Sequence, residues 1–386
     1  MSVKLGIDVL ANYSDVFNNK RIGLLTNNTG VNSQLQSTID LLKARYNLVK
    51  LFAPEHGVRG DLQAGVHLDG YVDEVTQLPV ESLYGATRRP TAEMLADIDI
   101  FAFDIQDVGS RFYTYLYSMA YVMQACAEHG KHCVVFDRPN PMGAEKVAGN
   151  ILDEDYKSFI GLYPIPQRHG LTIGEAALLF NTEYNIHCEL TVIPMENYTR
   201  TLSFEETGLP WVLPSPNIPT VLSCFAFNAT CIFEGTNVSE GRGTTKPFHF
   251  VGAPWIDANK LTEALNSQSL AGVRFRAHCF TPLLYHVRDA KYAGELCRGV
   301  EMHIHDTSVI NPVAVGVTML YTIRDLFPDK FQFNKPYHEK GKPMIDYNTG
   351  NAYIREGSKS LDEVLALYEK ESARFATIKK PYELYK

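Results

Sequence analysis

Residues 98–111 read Ile-Asp-Ile-Phe-Ala-Phe-Asp-Ile-Gln-Asp-Val-Gly-Ser-Arg, an apolar run that passes directly into a polar loop. Short runs rich in β-branched and aromatic residues are typical of strands. Comparable runs occur elsewhere in the first half of the chain, at residues 21–26, 48–53, 132–137 and 189–193. These runs predict the strands of one sheet.

The segments between these runs have a different periodicity. Residues 36–46, 113–129 and 172–184 carry apolar side chains at three- and four-residue spacing, which is typical of helices. Strands that alternate with helices indicate βαβ units around a parallel sheet. We therefore predict an α/β fold with a Rossmann-like, doubly wound, mostly parallel sheet.

Length and composition favour two domains. The chain has 386 residues, of which 45% are hydrophobic, enough for two cores. The pattern changes near residue 200, where prolines at 210, 214, 216 and 219 exclude a regular element. We predict a Rossmann-like catalytic domain at residues 1–200 and a mixed α+β domain at residues 201–386 that completes the cleft. Helices are expected at 257–267, 312–326 and 360–375, and strands at 273–280 and 299–305.

Charge and cysteine content narrow the classes of partner. The chain has 36 basic and 44 acidic residues and no concentrated basic stretch, so neither nucleic acid nor a membrane surface is an expected partner. No signal peptide is visible, and seven cysteines without a Cys-x-x-Cys pair suit a reducing compartment. A cytoplasmic location is expected, or a periplasmic or secreted one if a signal has been removed. The oligomeric state is not predicted.

The sequence predicts no cofactor. The first strand is followed by Thr26-Asn27-Asn28-Thr29-Gly30, which lacks the spaced glycines of a dinucleotide site, and no P-loop motif is present. A metal-binding His-Glu-x-x-His motif is also missing.

Polar loops follow the predicted strands at the end where doubly wound sheets bind ligands. In Pro54-Glu55-His56-Gly57, partial burial could raise the pKa of a carboxyl towards that of a general acid. Glu55 could instead cap the next segment or pair with Arg59, and His56 could ligate a metal. These alternatives stay open.

Three further loops contain candidate ligand-binding residues. Residues 104–115 combine Asp107, Arg111 and Tyr113, which suits sugar binding, although an Asp-Arg pair can also simply pin a loop. His169 precedes a predicted helix whose Thr172 and Glu175 form a capping box. Asn217 lies in the proline-rich segment. The glycine-rich loop 234–245 holds Glu234, Glu240 and Arg242, and is either a ligand-covering loop or a solvated one.

Eight ordered motifs between about residues 20 and 320 resemble the exo-β-N-acetylmuramidase family of peptidoglycan hexosaminidases. They are Thr26-Asn27-Asn28-Thr29-Gly30, Pro54-Glu55-His56-Gly57, Ser82-Leu83-Tyr84-Gly85, residues 104–115, residues 137–141, residues 168–175, Pro214-Ser215-Pro216-Asn217 and residues 234–245. The resemblance implies a cleft between two domains and release of N-acetylmuramic acid from the non-reducing end of peptidoglycan fragments.

The resemblance also implies roles for individual residues. Glu55 corresponds to the family's suspected catalytic glutamate, and His56 or Asp107 is expected to tune it. The second group is Glu240, Glu234 or the substrate's own 2-acetamido group. Arg111 or Arg242 is expected to bind the lactyl carboxylate of muramic acid. Further substrate contacts are expected from a set of polar residues. These are Asn27, Tyr113, His169 and Asn217.

Two other functions remain open on the sequence. One is a metal-dependent hydrolase that uses His56, Asp107 and His169. The other is a protein that binds muropeptides without cleaving them.

Overall fold

A seven-stranded sheet organises the first half of the chain in the computed structural model, which describes residues 2–60, 70–284 and 290–386. Its strands are β1 (Arg21–Thr26), β2 (Asn47–Ala53), β3 (Tyr71–Val72), β4 (Pro79–Ser82), β5 (Ile100–Asp104), β6 (His132–Phe136) and β7 (Leu190–Ile193). The spatial order is β3-β4-β2-β1-β5-β6-β7, and only the edge strand β3 is antiparallel to its neighbour. The predicted parallel sheet is confirmed.

Both faces of this sheet are covered, which explains why its strands read as apolar runs. Alternate residues of a strand point to opposite faces. In β5, Phe101 and Phe103 belong to one buried apolar cluster, and Ile100 and Ala102 belong to another. The helices of the first half are α1 (Ser14–Phe17), α2 (Thr38–Arg45), α3 (Ala92–Leu95), α4 (Tyr115–His129) and α5 (Ile173–Glu183). Helices α4 and α5 pack in the first cluster and α1 and α2 in the second.

The order of the strands indicates where along the sheet a ligand would bind. From β1 the chain adds β2 and β4 on one side, and later adds β5, β6 and β7 on the other. The direction of winding therefore reverses between β1 and β5, where doubly wound sheets bind ligands beyond the strand ends. A buried ion pair fixes this edge, because Arg138 Nε donates to Asp104 Oδ1 at 2.6 Å.

A smaller antiparallel sheet defines the second half. Its strands are β8 (Phe250–Ala253), β9 (Val273–Phe280) and β10 (Cys297–Ile304), in the order β8-β10-β9. The helices are α6 (Val221–Thr230), α7 (Ala258–Ser267), α8 (Pro312–Leu326), α9 (Met344–Thr349), α10 (Tyr353–Glu356) and α11 (Leu361–Lys379). This mixture confirms the predicted second α+β region.

The two halves share one buried apolar cluster, which includes Phe101 of the large sheet and Phe375 of α11. A domain division at residue 200 therefore stays a prediction. No helix among the described residues is long and apolar enough to cross a membrane.

Candidate active site

A cleft of about 1220 Å³ opens beyond the carboxyl ends of the large sheet and is lined by residues from both halves of the chain. Its lining includes Glu55, His56, Tyr84, Arg88, Tyr113, Thr114, Asn217, Glu234, Arg242, Phe248, Lys342 and Tyr347. Polar groups and aromatic rings in one concave site suit a carbohydrate, since sugars are bound by hydrogen bonds and by ring faces.

Glu55 projects from the turn that follows β2 and is half-buried. Thr114 Oγ1 donates a hydrogen bond to Glu55 Oε2 at 2.9 Å. The turn itself is sharp, because His56 and Gly57 have φ angles of 73° and 77°. A left-handed conformation is uncommon for a residue with a side chain and persists only where the surroundings hold it, often at functional sites. Glu55 is thus held in a fixed orientation at the wall of the cleft.

Two tyrosines flank Glu55, the partly buried Tyr84 and the buried Tyr115. Burial, the charge of Glu55 and a hydrogen bond with its side chain raise the pKa of Tyr84, so this phenol stays protonated and can donate to the carboxylate. The hydroxyl of Tyr115 lies 3.3 Å from the carbonyl oxygen of Glu55 and 2.8 Å from that of Pro214. Tyr115 thus connects the Glu55 turn to the proline-rich segment across the cleft.

A second carboxyl in the cleft belongs to Glu234, which accepts a hydrogen bond from Arg242. Arg242 Nε also lies 3.6 Å from Glu240, and Lys291 Nζ donates to Glu240 at 2.7 Å. Burial raises the pKa of Glu234. Burial also acts on Glu240, but the charges of Lys291 and Arg242 outweigh it and lower its pKa. Glu234 is therefore the more readily protonated of the two.

The predicted site residues fall into two groups. The structure brings six of them to the cleft and leaves five outside its lining. The first group is Glu55, His56, Tyr113, Asn217, Glu234 and Arg242. The second group is Asn27, Asp107, Arg111, His169 and Glu240, all buried.

Asn27 supports the site from behind. Its Nδ2 donates to the Tyr115 hydroxyl at 3.0 Å, and its Oδ1 accepts from the Thr29 amide at 2.9 Å. Asn27 thereby positions Tyr115 against the Glu55 turn.

Asp107 and His169 form a buried pair, with His169 Nε2 at 3.5 Å from Asp107 Oδ2. His169 Nδ1 accepts from the Leu171 amide at 3.2 Å, which leaves the proton of a neutral imidazole on Nε2, facing Asp107. The predicted metal-binding trio is not assembled, because only His56 reaches the cleft. Among the described residues, no group of three His, Cys, Asp or Glu side chains could hold a metal ion.

Arg111 does not have the predicted position. It is fully buried, and its guanidinium donates to the carbonyl oxygens of Asn150, Ile165 and Asn348 at 2.8, 3.0 and 3.0 Å. These bonds join segments of both halves beneath the cleft. Arg111 is therefore not placed to bind a substrate carboxylate.

The sequence analysis did not select Tyr84, Thr114 or Arg88, all of which line the cleft. The signal for Tyr84 was present in the motif Ser82-Leu83-Tyr84-Gly85, directly after β4. Thr114 and Arg88 lie in segments whose orientation depends on tertiary packing.

A doubly wound sheet with two carboxyl side chains in a cleft that suits a sugar fits the class of a glycoside hydrolase. The model of the family described as exo-β-N-acetylmuramidase NamZ, N-terminal, matches residues 22–222, and that described as exo-β-N-acetylmuramidase NamZ, C-terminal, matches residues 225–385. The chain belongs to the exo-β-N-acetylmuramidase NamZ family, a family of glycosidases.

Relatives of known sequence and structure agree with this membership. The chain is 48% identical to the peptidoglycan β-N-acetylmuramidase NamZ of Bacillus subtilis strain 168, over 99% of this chain and 91% of that protein. A crystal structure of a DUF1343 family protein from Bacteroides fragilis superposes with a TM-score of 0.90 at 37% identity, covering 100% of this chain and 99% of the other. A second such protein from the same organism has a TM-score of 0.78 at 33% identity, with the same coverage.

Proposed function

We propose that this protein is an exo-acting glycosidase that removes N-acetylmuramic acid from the non-reducing end of peptidoglycan fragments, with Glu55 as the general acid. The observation that carries the proposal is the position of Glu55. Its carboxyl group lies in the cleft at the end of β2, with hydroxyl groups of Thr114 and Tyr84 as partners.

The chemistry required of Glu55 is protonation of the leaving oxygen. Cleavage of a glycosidic bond leaves an alkoxide unless an acid donates a proton as the bond breaks. The Thr114 hydroxyl fixes one carboxyl oxygen of Glu55 at 2.9 Å, which orients the group for transfer. His56 lies next to Glu55 in the lining and is part of the same proposed acid site.

Glu234 is proposed as the second catalytic group. It lines the cleft, whereas Glu240 is buried against Lys291. Glu234 either acts directly on the anomeric carbon or on water, or it orients the 2-acetamido group when that group attacks. In each route Arg242 holds the carboxyl in place through a hydrogen bond. Tyr113 and Asn217 contribute further contacts to the sugar from the same lining.

Product analysis tests this function. The enzyme is incubated with a short peptidoglycan glycan bearing terminal N-acetylmuramic acid, and the products are separated by mass. We expect free N-acetylmuramic acid and a glycan shortened by one sugar. Internal fragments, or tight binding without turnover, would contradict the proposal. Activity lost on exhaustive chelation and restored by a divalent metal would favour the metal-dependent alternative.

A reducing compartment is proposed as the site of action. All seven cysteines are free thiols, and six of them are buried. Cysteines of proteins in oxidising compartments more often form disulfides.

A further inference from the structure

Two cations of the cleft lining, Arg88 and Lys342, are not neutralised by an acidic side chain of the described residues, and Arg88 lies beside a tyrosine that is hydrogen-bonded to the proposed acid. N-Acetylmuramic acid differs from N-acetylglucosamine by a lactyl ether, which carries one carboxylate. An enzyme that selects this sugar needs a cation that can pair with that carboxylate, and an arginine fork matches a carboxylate in two parallel hydrogen bonds. The cations of the lining are therefore the candidates for the specificity determinant.

The guanidinium of Arg242 is already paired with acidic side chains of the protein. Its guanidinium is hydrogen-bonded to Glu234 and lies 3.6 Å from Glu240, and the charges of these two glutamates raise its pKa against the effect of burial. A substrate carboxylate placed beside Arg242 would also approach the carboxylates of Glu234 and Glu240. Like charges at such distances repel, so Arg242 is a poor receptor for a third anion.

Arg88 has the opposite surroundings. It is exposed in the cleft lining, and its guanidinium forms no ion pair or hydrogen bond with any residue that the structure describes. Its guanidinium carbon lies 3.9 Å from the ring centroid of Phe159 and 5.9 Å from that of Tyr84. Stacking on a ring holds the guanidinium plane and leaves its edge N–H groups available to a ligand.

Tyr84 connects Arg88 to the acid. The ring of Tyr84 lies beside Arg88, while its side chain is hydrogen-bonded to Glu55. Arg88 and Glu55 are thus neighbours of the same phenol and border the same part of the cleft. Lys342, the other unneutralised cation, lies 3.8 Å from the ring of Tyr156 and has no described contact with a neighbour of Glu55.

We propose that Arg88 binds the lactyl carboxylate of N-acetylmuramic acid and so sets the preference of this enzyme for that sugar over N-acetylglucosamine. The proposal rests on the glycosidase function proposed above. Arg88 replaces Arg111 and Arg242 as the expected partner of the lactyl carboxylate.

Three aryl glycosides test the proposal, namely the β-N-acetylmuramide, its lactyl methyl ester and the β-N-acetylglucosaminide. For Arg88→Gln we expect kcat/KM for the charged muramide to fall about 10- to 100-fold, the loss that a charge-assisted hydrogen bond implies. For the ester and the glucosaminide, kcat/KM should change by no more than about twofold, because neither substrate carries the carboxylate that Arg88 is proposed to bind. Arg88→Lys keeps the charge but loses the fork, so it should give an intermediate value.

Arg89→Gln is the matched control, because Arg89 is the neighbouring arginine but pairs with Glu128, away from the cleft lining. It should leave the preference for the charged muramide unchanged. An equal loss on all three substrates for Arg88→Gln, or an unchanged preference, would overturn the proposal. So would a loss of preference in Lys342→Gln alone. A wild-type enzyme that cleaves no muramide would contradict the proposed function itself, and with it this proposal.

Discussion

At the scale of single residues, the site depends on which polar groups face the cleft and which support it from below. Glu55 and Glu234 reach the cleft, whereas Asp107, Arg111 and His169 are buried beneath it. All five lie in segments that the sequence analysis selected. The sequence located the loops correctly, because strand ends and glycines are visible in it. It did not reveal which side chains turn inward, since this depends on partners that are distant in the chain, such as Asn348 for Arg111.

The orientation of Glu55 can be tested through Thr114. Thr114→Val removes the hydroxyl that donates to Glu55 Oε2 but keeps the shape of the side chain. We expect kcat to fall about tenfold with little change in KM, because the acid loses a positioning hydrogen bond. Steady-state kinetics on the muramide measures this. Thr262→Val is the control, since the Thr262 hydroxyl donates to the Ala258 carbonyl within α7. Unchanged kcat in Thr114→Val would contradict this role.

Arg242 should stabilise the fold as well as the site. Arg242→Met leaves Glu234 and Glu240 close together without the cation that lies between them. Breaking a fully buried ion pair on one side typically costs about 3–5 kcal/mol of unfolding free energy. The Arg242–Glu234 pair is partly buried, so the loss should lie at or below the lower end of this range. Urea denaturation should show a loss of this size. The exposed Arg21–Asp99 pair provides the comparison, because solvent screens an exposed ion pair and Arg21→Met should have a much smaller effect. Equal losses in the two variants would show that Arg242 has no special structural role.

At the scale of elements, the periodic helices and the apolar strands of the large sheet were predictable, whereas a uniformly apolar helix was not. Helix α8 and strand β9 match the predicted ranges 312–326 and 273–280. Helix α6 was missed, because almost all of its residues are buried and it therefore shows no amphipathic period. Its start is nevertheless encoded by Thr220, whose side chain accepts a hydrogen bond from the Ser223 amide.

The pairing of β9 and β10 includes a pH-dependent contact. Glu301 lies opposite Arg276 and accepts hydrogen bonds from Arg276 and Lys246. Burial acts to raise the pKa of Glu301, but these hydrogen bonds and the charge of His303 outweigh it and lower the pKa to about 2. A carboxyl whose pKa is lowered by folding stabilises the protein above its unfolded pKa. That contribution is lost as the pH falls from about 4.5 towards about 2.

Glu301→Gln should therefore lower the free energy of unfolding by about 1–2 kcal/mol at pH 7, because the hydrogen bonds from Arg276 and Lys246 lose their charged acceptor. The difference from the wild type should shrink as the pH falls through this window. Denaturation at a series of pH values measures it, with the exposed Glu263→Gln of α7 as control. A difference that is constant with pH would contradict the assigned ion pair.

At the scale of the whole molecule, the last residues of the chain pack on the large sheet. The hydroxyl of Tyr385 donates to Asp137 Oδ2 at 2.5 Å and accepts from the Met195 amide at 2.9 Å. Helix α11 also contacts the first half, because Glu371 accepts from the Ile151 amide at 2.7 Å. These contacts were not predictable, since no local pattern links positions about two hundred residues apart. The two halves are joined by polar contacts as well as by the shared apolar cluster.

This arrangement predicts that a terminal substitution destabilises the first half. Tyr385→Phe should lower the free energy of unfolding by about 1–3 kcal/mol, because it removes two hydrogen bonds from a partly buried site and leaves the buried Asp137 without one of its donors. Tyr382→Phe removes only one hydrogen bond, to the exposed side chain of Glu183 in α5, and should have a much smaller effect. Thermal denaturation compares the two. Equal midpoints in Tyr385→Phe and the wild type would contradict the structural role of the C-terminal residues.

The central claim is that Glu55 protonates the leaving group, and the dependence of Glu55→Gln on leaving-group acidity tests it most directly. We expect kcat for a disaccharide with terminal N-acetylmuramic acid to fall by about 10²–10⁴, the usual contribution of a general acid. For an aryl muramide with a strongly acidic phenol, which needs little protonation, the loss should be far smaller. Wild-type kcat on the disaccharide, or an equal loss on both substrates, would contradict the assignment of Glu55 as the acid.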